Sequence, residues 1–201
     1  ELLYAFHVIV HPFDGFWDLK HEKRGSVRSA FVIIVITVLA VFYQSASTGY
    51  IFSPENNYSS IIVSLLSVIV PFLLWVIANW CLTTLFEGEG NLKDIFVASS
   101  YALTPLPLLI IPEVLLSNVL LLSEQGILTF LTSLAFVWVG LLLFFGIMIT
   151  HDYSLGKNIL TTAGTIVGMA FIMFMGILFS TLVGKMVSFV TGIIEEISFR
   201  L

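Results

Sequence analysis

Apolar residues run along this chain in long unbroken blocks separated by short polar stretches. A helix needs roughly 20 mostly apolar residues to cross a bilayer. Five blocks reach that length: Val27 to Ala46, Ser60 to Phe86, Asp94 to Leu116 with an extension toward Leu122, Ile127 to Thr150, and Leu160 to Gly184. The strands of a membrane barrel alternate apolar and polar residues, and these runs do not. In lipid, a helix satisfies its own backbone without closing into a barrel. The pattern therefore predicts an all-α polytopic membrane protein with five transmembrane helices.

The stretch before the first block has a different rhythm. Leu2 to Val10 is apolar but too short to span, and His11-Pro12 interrupts it. Pro12 suits the first turn of a new helix, and Asp14 suits its positive end. In that helix Phe13, Phe16, Trp17 and Lys20 fall at i, i+3, i+4 and i+7, with Lys23 and Arg24 beyond. Two placements fit the pattern. One is an interfacial amphipathic helix, with its aromatics at headgroup depth and its basic residues toward anionic lipid. The other is a helix packed under the bundle. The pattern divides the chain into an N-terminal segment 1–26, a five-helix domain 27–190 and a tail 191–201.

Composition sharpens this picture. The 201 residues are 58% hydrophobic and only 10% charged, and the mean hydropathy is +1.05. Soluble domains carry about 25% charge, and disorder needs low hydrophobicity. The net charge of −5 leaves no basic face for nucleic acid. Basic residues precede the first span (Lys20, Lys23, Arg24, Arg28) and sit in the second and fourth connections (Lys93, Lys157). The loops 47–59 and 117–125 have none. By the bias of Lys and Arg toward the cytoplasm, the N-terminus is expected inside and the C-terminus outside. Lys185 and Arg200 follow the fifth span and oppose this mildly. Cys81, in an apolar run, is expected to be a buried thiol. The chain starts on Glu1, so native residues are expected before it, and no signal peptide is visible.

Within the spans, proline and glycine carry most of the information. Pro71 lies in span two, and Pro105, Pro107 and Pro112 lie in span three. Each removes a helix donor, and Thr104 and Leu106 are expected to leave the α region. Span three should be kinked or broken near Thr104. Along span five, every fourth residue from Gly164 through Gly168, Ile172, Gly176, Ser180, Gly184, Ser188 and Gly192 is small, except Ile172. Such a ridge permits close helix approach, within the bundle or to a partner. Ionisable residues are nearly absent from the spans. Glu113 is the main exception and is expected near the outer interface. Asn79, Thr83 and Thr84 are the notable polar groups of span two.

Glu195-Glu196-x-x-x-Arg200 resembles the first motif of the CAAX-processing intramembrane metalloproteases, in which a Glu activates a metal-bound water. That family's His ligands lie on later helices, and none of His7, His11, His21 or His151 has the right context. His7 and His11 have i, i+4 metal spacing but no third ligand beside them. His151-Asp152 reads as a helix-end hydrogen-bonding pair. No phosphate loop or nucleophile elbow is present. The expectation is a non-enzyme with no cofactor and no metal.

His11-Pro-Phe-Asp-Gly-Phe-Trp-Asp-Leu-Lys20, Asn79-Trp80 and Tyr101-Ala-Leu-Thr-Pro-Leu106, with five spans, together resemble the bacterial branch of the Yip (Ypt-interacting protein) family. The resemblance covers nearly the whole chain and implies five spans with a cytoplasmic N-terminus. Its eukaryotic members work with Rab-type GTPases through a long N-terminal region and an Asp-Leu-Tyr-Gly-Pro signature. Both are missing here, so that partnership is not implied. The leading expectation is an accessory or scaffold subunit in a bacterial cytoplasmic membrane. It would contact lipid and other integral membrane proteins, an ABC-type importer among the hosts. The alternatives are a transporter or channel using the Pro-rich third span with Asn79, Thr83 and Thr84, and a lipid-organising protein.

Overall fold

The computed structural model describes residues 1–52, 60–83 and 85–200, apart from the side chains of 197, 198 and 200. Thr84 and the 53–59 part of the first loop fall outside the described residues, as does the Arg200 side chain. All the regular structure described is helical. Two short helices, α1 (Tyr4–Val10) and α2 (Pro12–His21), precede α3 (Val27–Ser47) and α4 (Ile61–Thr83). Then come α5 (Leu92–Ala102), α6 (Pro105–Ser117), α7 (Gln125–His151) and α8 (Leu155–Arg200). Five helical stretches are long and apolar enough to cross a membrane, with α5 and α6 together forming the third.

Local chemistry sets the helix ends. The Ser26 hydroxyl accepts from the Ser29 amide and caps α3. The Asn91 amide donates to Asp94 in a capping box at the start of α5. Asp152 takes left-handed backbone (φ 54°) to close α7. Pro12 and Pro105 occupy first-turn positions, where no donor is lost. Pro71 lies inside an unbroken α4.

We call the end of the bundle at Val27 proximal and the opposite end distal. The five spans alternate in direction, and α8 runs antiparallel to α4. One core cluster joins Ile34 and Val38 of α3, Phe72 and Val76 of α4, Ile110 of α6 and Val139 of α7. A second, proximal cluster joins Ala5 and Val8 of α1, Phe16 and Leu19 of α2, Tyr101 of α5 and Leu142 of α7. The N-terminal helices thus share a core with the spans. The Phe16 ring lies on Gly146, where an added Cβ would sit 3.0 Å from it.

The fifth span departs most from expectation. Helix α8 has 46 residues and runs unbroken past residue 190. Its first part lies against α4, while Phe171, Phe174, Ile177, Phe179 and Phe189 are exposed.

Candidate functional site

At the proximal end, three helices and a loop meet on one polar side chain. Asn79 of α4 is 2% exposed. Its Oδ1 accepts from His151 Nε2 at 2.9 Å, and its Nδ2 donates to Thr165 Oγ1 at 3.2 Å. The Gly90 amide donates to His151 Nδ1 at 3.2 Å. Since Nδ1 accepts, the imidazole proton sits on Nε2, facing Asn79. Gly88 and Gly90 let the loop lie on the ring, since a Cβ at either would collide with His151. Buried polar groups hold only when paired, and here they pair with one another across α4, α7 and α8. The arrangement is a clasp, with each hydrogen bond already spent on a neighbour.

Span three breaks at Tyr101-Ala-Leu-Thr-Pro105. Tyr101 is fully buried in the proximal core. Thr104 Oγ1 donates to the Tyr101 carbonyl at 2.7 Å. Thr104 was expected outside the α region ahead of Pro105, yet its backbone is αR (φ −54°, ψ −35°), and Leu106 is helical. The chain absorbs the prolines by tightening. Leu103, Thr104 and Leu106 donate to Ser100, Tyr101 and Leu103, three residues back. The two helices of span three are joined by these tight three-residue turns.

The distal half holds a different kind of space. Two contiguous cavities share Val41, Gln44, Glu113 and Thr132. The deeper one, about 420 Å³, lies between Val41 of α3, Phe72 of α4, Ile110 of α6 and Val139 of α7. Met169 is its lining residue from α8, and just beyond it α8 leaves the bundle. The shallower one, about 560 Å³, is rimmed by Ser45, Thr48, Gln125, Thr129 and Ser133. Glu113 stands between them. Its Oε1 accepts from Thr132 Oγ1 at 2.8 Å and Gln44 Nε2 at 3.2 Å. Its Oε2 is buried without a partner among the described residues, as is Nε1 of Trp75 in the deeper cavity wall. The rim is fixed by the Gly49 amide donating to Ser117 Oγ at 2.9 Å and Asn118 Nδ2 donating to the Ser47 carbonyl at 3.0 Å.

Comparison with family models matches residues 6–190 to the Yip1 domain. The chain belongs to the Yip1 domain family. Comparison with curated proteins and with solved structures gives no match.

The Yip1 motif residues thus have structural positions. Asn79 forms the clasp, whereas Trp80 is 49% exposed on the outer face of α4. Tyr101, Thr104, Pro105 and Pro107 form the kink and are buried. Thr83 Oγ1 donates to the Trp80 carbonyl. Cys81, expected buried, is exposed on α4.

Phe13 and Trp17 are exposed, but Phe16 is 1% exposed in the core, so the expected aromatic face is split. Phe13 leans on Phe145 at 4.8 Å between ring centres. Helix α2 packs on α7 through Phe16 and presents Phe13 and Trp17 outward. Its basic residues are partly engaged by the protein. Lys20 pairs with Glu89 at 3.1 Å, and Arg24 pairs with Glu22 at 2.6 Å and Asp18 at 3.4 Å. Lys23 is exposed.

The small-residue row of α8 is split as well. A Cβ on Gly164 would stand 3.3 Å from Leu82, and one on Gly168 would stand 3.4 Å from Ala78. Gly176 and Gly184 have nothing described within 4 Å, and Ser180 is exposed. His7 and His11 stack on each other at 5.0 Å. No cluster of three potential metal ligands is found among the described residues. Gln44, Thr132 and Thr165 escape a reading of the sequence because their partners lie on distant segments, and Trp75 because the cavity beside it is built from other helices. Their only local signal is a polar atom in an apolar run.

Proposed function

We propose that this Yip1-domain protein is a non-catalytic membrane scaffold that binds another integral membrane protein through the second half of α8. The observation that carries the reading is the exposure of α8 beyond Met169, with Gly176, Ser180 and Gly184 unoccupied. Its length supports it. At 1.5 Å per residue, 46 residues extend about 69 Å. A helix tilted by about 40° crosses a 30 Å hydrocarbon core in roughly 26 residues. The remainder carries Phe189, Val190 and Ile194, which need cover. A smooth small-residue ridge admits a partner helix closely.

The basic residues of the bundle (Lys20, Lys23, Arg24, Arg28, Lys93 and Lys157) gather at the proximal end. On this ground we propose that this end faces the cytoplasm, with α8 leading outward. An ABC-type importer as host has no side chain behind it and is not part of the proposal.

The test is purification from native membrane in nanodiscs. Wild type should carry a stoichiometric integral membrane partner. A variant with Gly176→Leu, Ser180→Leu and Gly184→Leu should lose it while keeping the same melting temperature. A monodisperse protein with no companion chain would overturn the reading.

A further inference from the structure

The paired distal cavities have a polarity that belongs to one kind of molecule. The deeper cavity extends along α7 from Thr132 to Leu143. Eleven residues of helix rise about 16 Å, close to half of a 30 Å hydrocarbon core. Its depth is therefore that of one bilayer leaflet, and its wall away from Glu113 is mostly apolar, with the Trp75 Nε1 and Ser67 as polar exceptions. The shallower cavity, at the end of the bundle, is rimmed by hydroxyl and amide side chains. Glu113, at the junction, has one oxygen saturated by Thr132 and Gln44 and one oxygen buried without a donor. A buried acceptor left open is costly unless something donates to it. The volume of about 420 Å³ falls in the range of sites for small organic ligands.

Charge narrows the occupant. The distal ends of α3, α4, α6 and α7 carry Glu113 and Glu124 and no described Lys or Arg, the bundle's other cations lie at the proximal end, and Lys185 and Arg200 sit on the part of α8 beyond Met169 that has left the bundle. A cationic donor is therefore favoured over an anionic head. The departure of α8 after Met169 leaves the deeper cavity accessible from the side, where lipid chains are.

We propose that the two cavities form a site for an amphiphile with a primary ammonium head, one hydrocarbon chain of which enters the deeper cavity. The chain lies in the deeper cavity beside Trp75, and the ammonium donates to Glu113 Oε2. The rest of the head occupies the hydroxyl-lined vestibule. Two sources share this chemistry: an amine-headed membrane phospholipid and a free long-chain amine.

Fluorescence quenching distinguishes them. Trp17, Trp80 and Trp138 are changed to Phe, leaving Trp75 as the reporter. The protein is placed in phosphatidylcholine vesicles with a minor fraction of lipid brominated along its acyl chain. Phosphatidylethanolamine so labelled should quench Trp75 about tenfold more effectively than labelled phosphatidylcholine, whose head has no N–H to donate. Added dodecylamine should relieve that quenching, and dodecyltrimethylammonium should not. Glu113→Leu should abolish the difference between the two lipids. Val68→Phe, which fills the cavity without touching Glu113, should abolish it too, so the result does not hang on one variant's folding. If the two labelled lipids quench equally, but dodecylamine alone shifts the Trp75 emission in a Glu113-dependent way, the occupant is the free amine. Equal quenching with no Glu113-dependent amine effect would overturn the proposal.

Discussion

The two halves of α8 carry the same small-residue row and meet opposite fates. In the first half Gly164 and Gly168 lie against Leu82 and Ala78 of α4. In the second half Gly176 and Gly184 face open space. The difference lies in the polar residues between the glycines. Asn158 Nδ2 donates to the Phe144 carbonyl of α7 at 2.9 Å, and Thr165 receives Asn79 of α4. Both residues are fully buried. In the second half Thr181 and Thr191 donate to carbonyls of their own helix, at Ile177 and Val187. A small-residue ridge gives a helix the capacity for close approach. Within this bundle, cross-helix hydrogen bonds accompany the close contacts.

The sharpest way to break the contrast is at the clasp. Asn79→Leu leaves the His151 Nε2 proton buried without an acceptor and strips Thr165 of its donor. Unsatisfied buried groups cost about 1–3 kcal/mol each, so a loss of roughly 3 kcal/mol is expected. It should appear as a lower melting temperature in mild detergent and as cleavage in the first half of α8 under limited proteolysis. A variant that melts like wild type would show that glycine packing alone holds α8.

A smaller effect separates the glycines. Gly168→Leu drives a branched side chain toward Ala78 and should cost about 1–3 kcal/mol by overpacking. Gly184→Leu meets nothing described and should stay within about 0.5 kcal/mol. Its effect should instead fall on partner recovery. Equal melting temperatures for the two variants would erase the distinction between the halves.

The sequence hides this split for physical reasons. Spans one to four were legible because twenty-residue apolar runs have one solution in lipid, and their ends are marked by Ser26, Asn91 and Asp152. The end of span five was not. Past Gly184 apolar residues continue at helical spacing, and Lys185 alone does not stop a helix. Proline chemistry pointed to the kink at Thr104, but the tight three-residue turns that keep it helical depend on neighbouring packing. Helical spacing groups Phe16 with Phe13 and Trp17 on one face. Only the gap at Gly146, far away in sequence, draws Phe16 inward. Glu113 stood out as an ionisable residue in a span, while Gln44 and Thr132, which hold it, come from two other helices.

The mildest test acts at the proximal end and asks whether the arm is independent of the bundle. Tyr4 OH donates to Asp18 Oδ2 at 2.6 Å. Burial first, and then this bond to Asp18, push the phenol up from its ordinary value to about 12. The folded state thus holds the phenolic proton more tightly than the unfolded chain does. The resulting stabilisation is complete below the unfolded value of about 10 and is lost as pH rises through about 12. Wild type should therefore lose melting temperature between about pH 10 and pH 12 more steeply than Tyr4→Phe, which starts lower and has no phenol to ionise. Curves that run parallel would mean that α1 docking adds nothing to bundle stability. At neutral pH, Tyr4→Phe should lower the melting temperature slightly and leave partner recovery through α8 unchanged. Loss of the partner in that variant would tie the arm to the proximal core and end the contrast between a braced half and a free one.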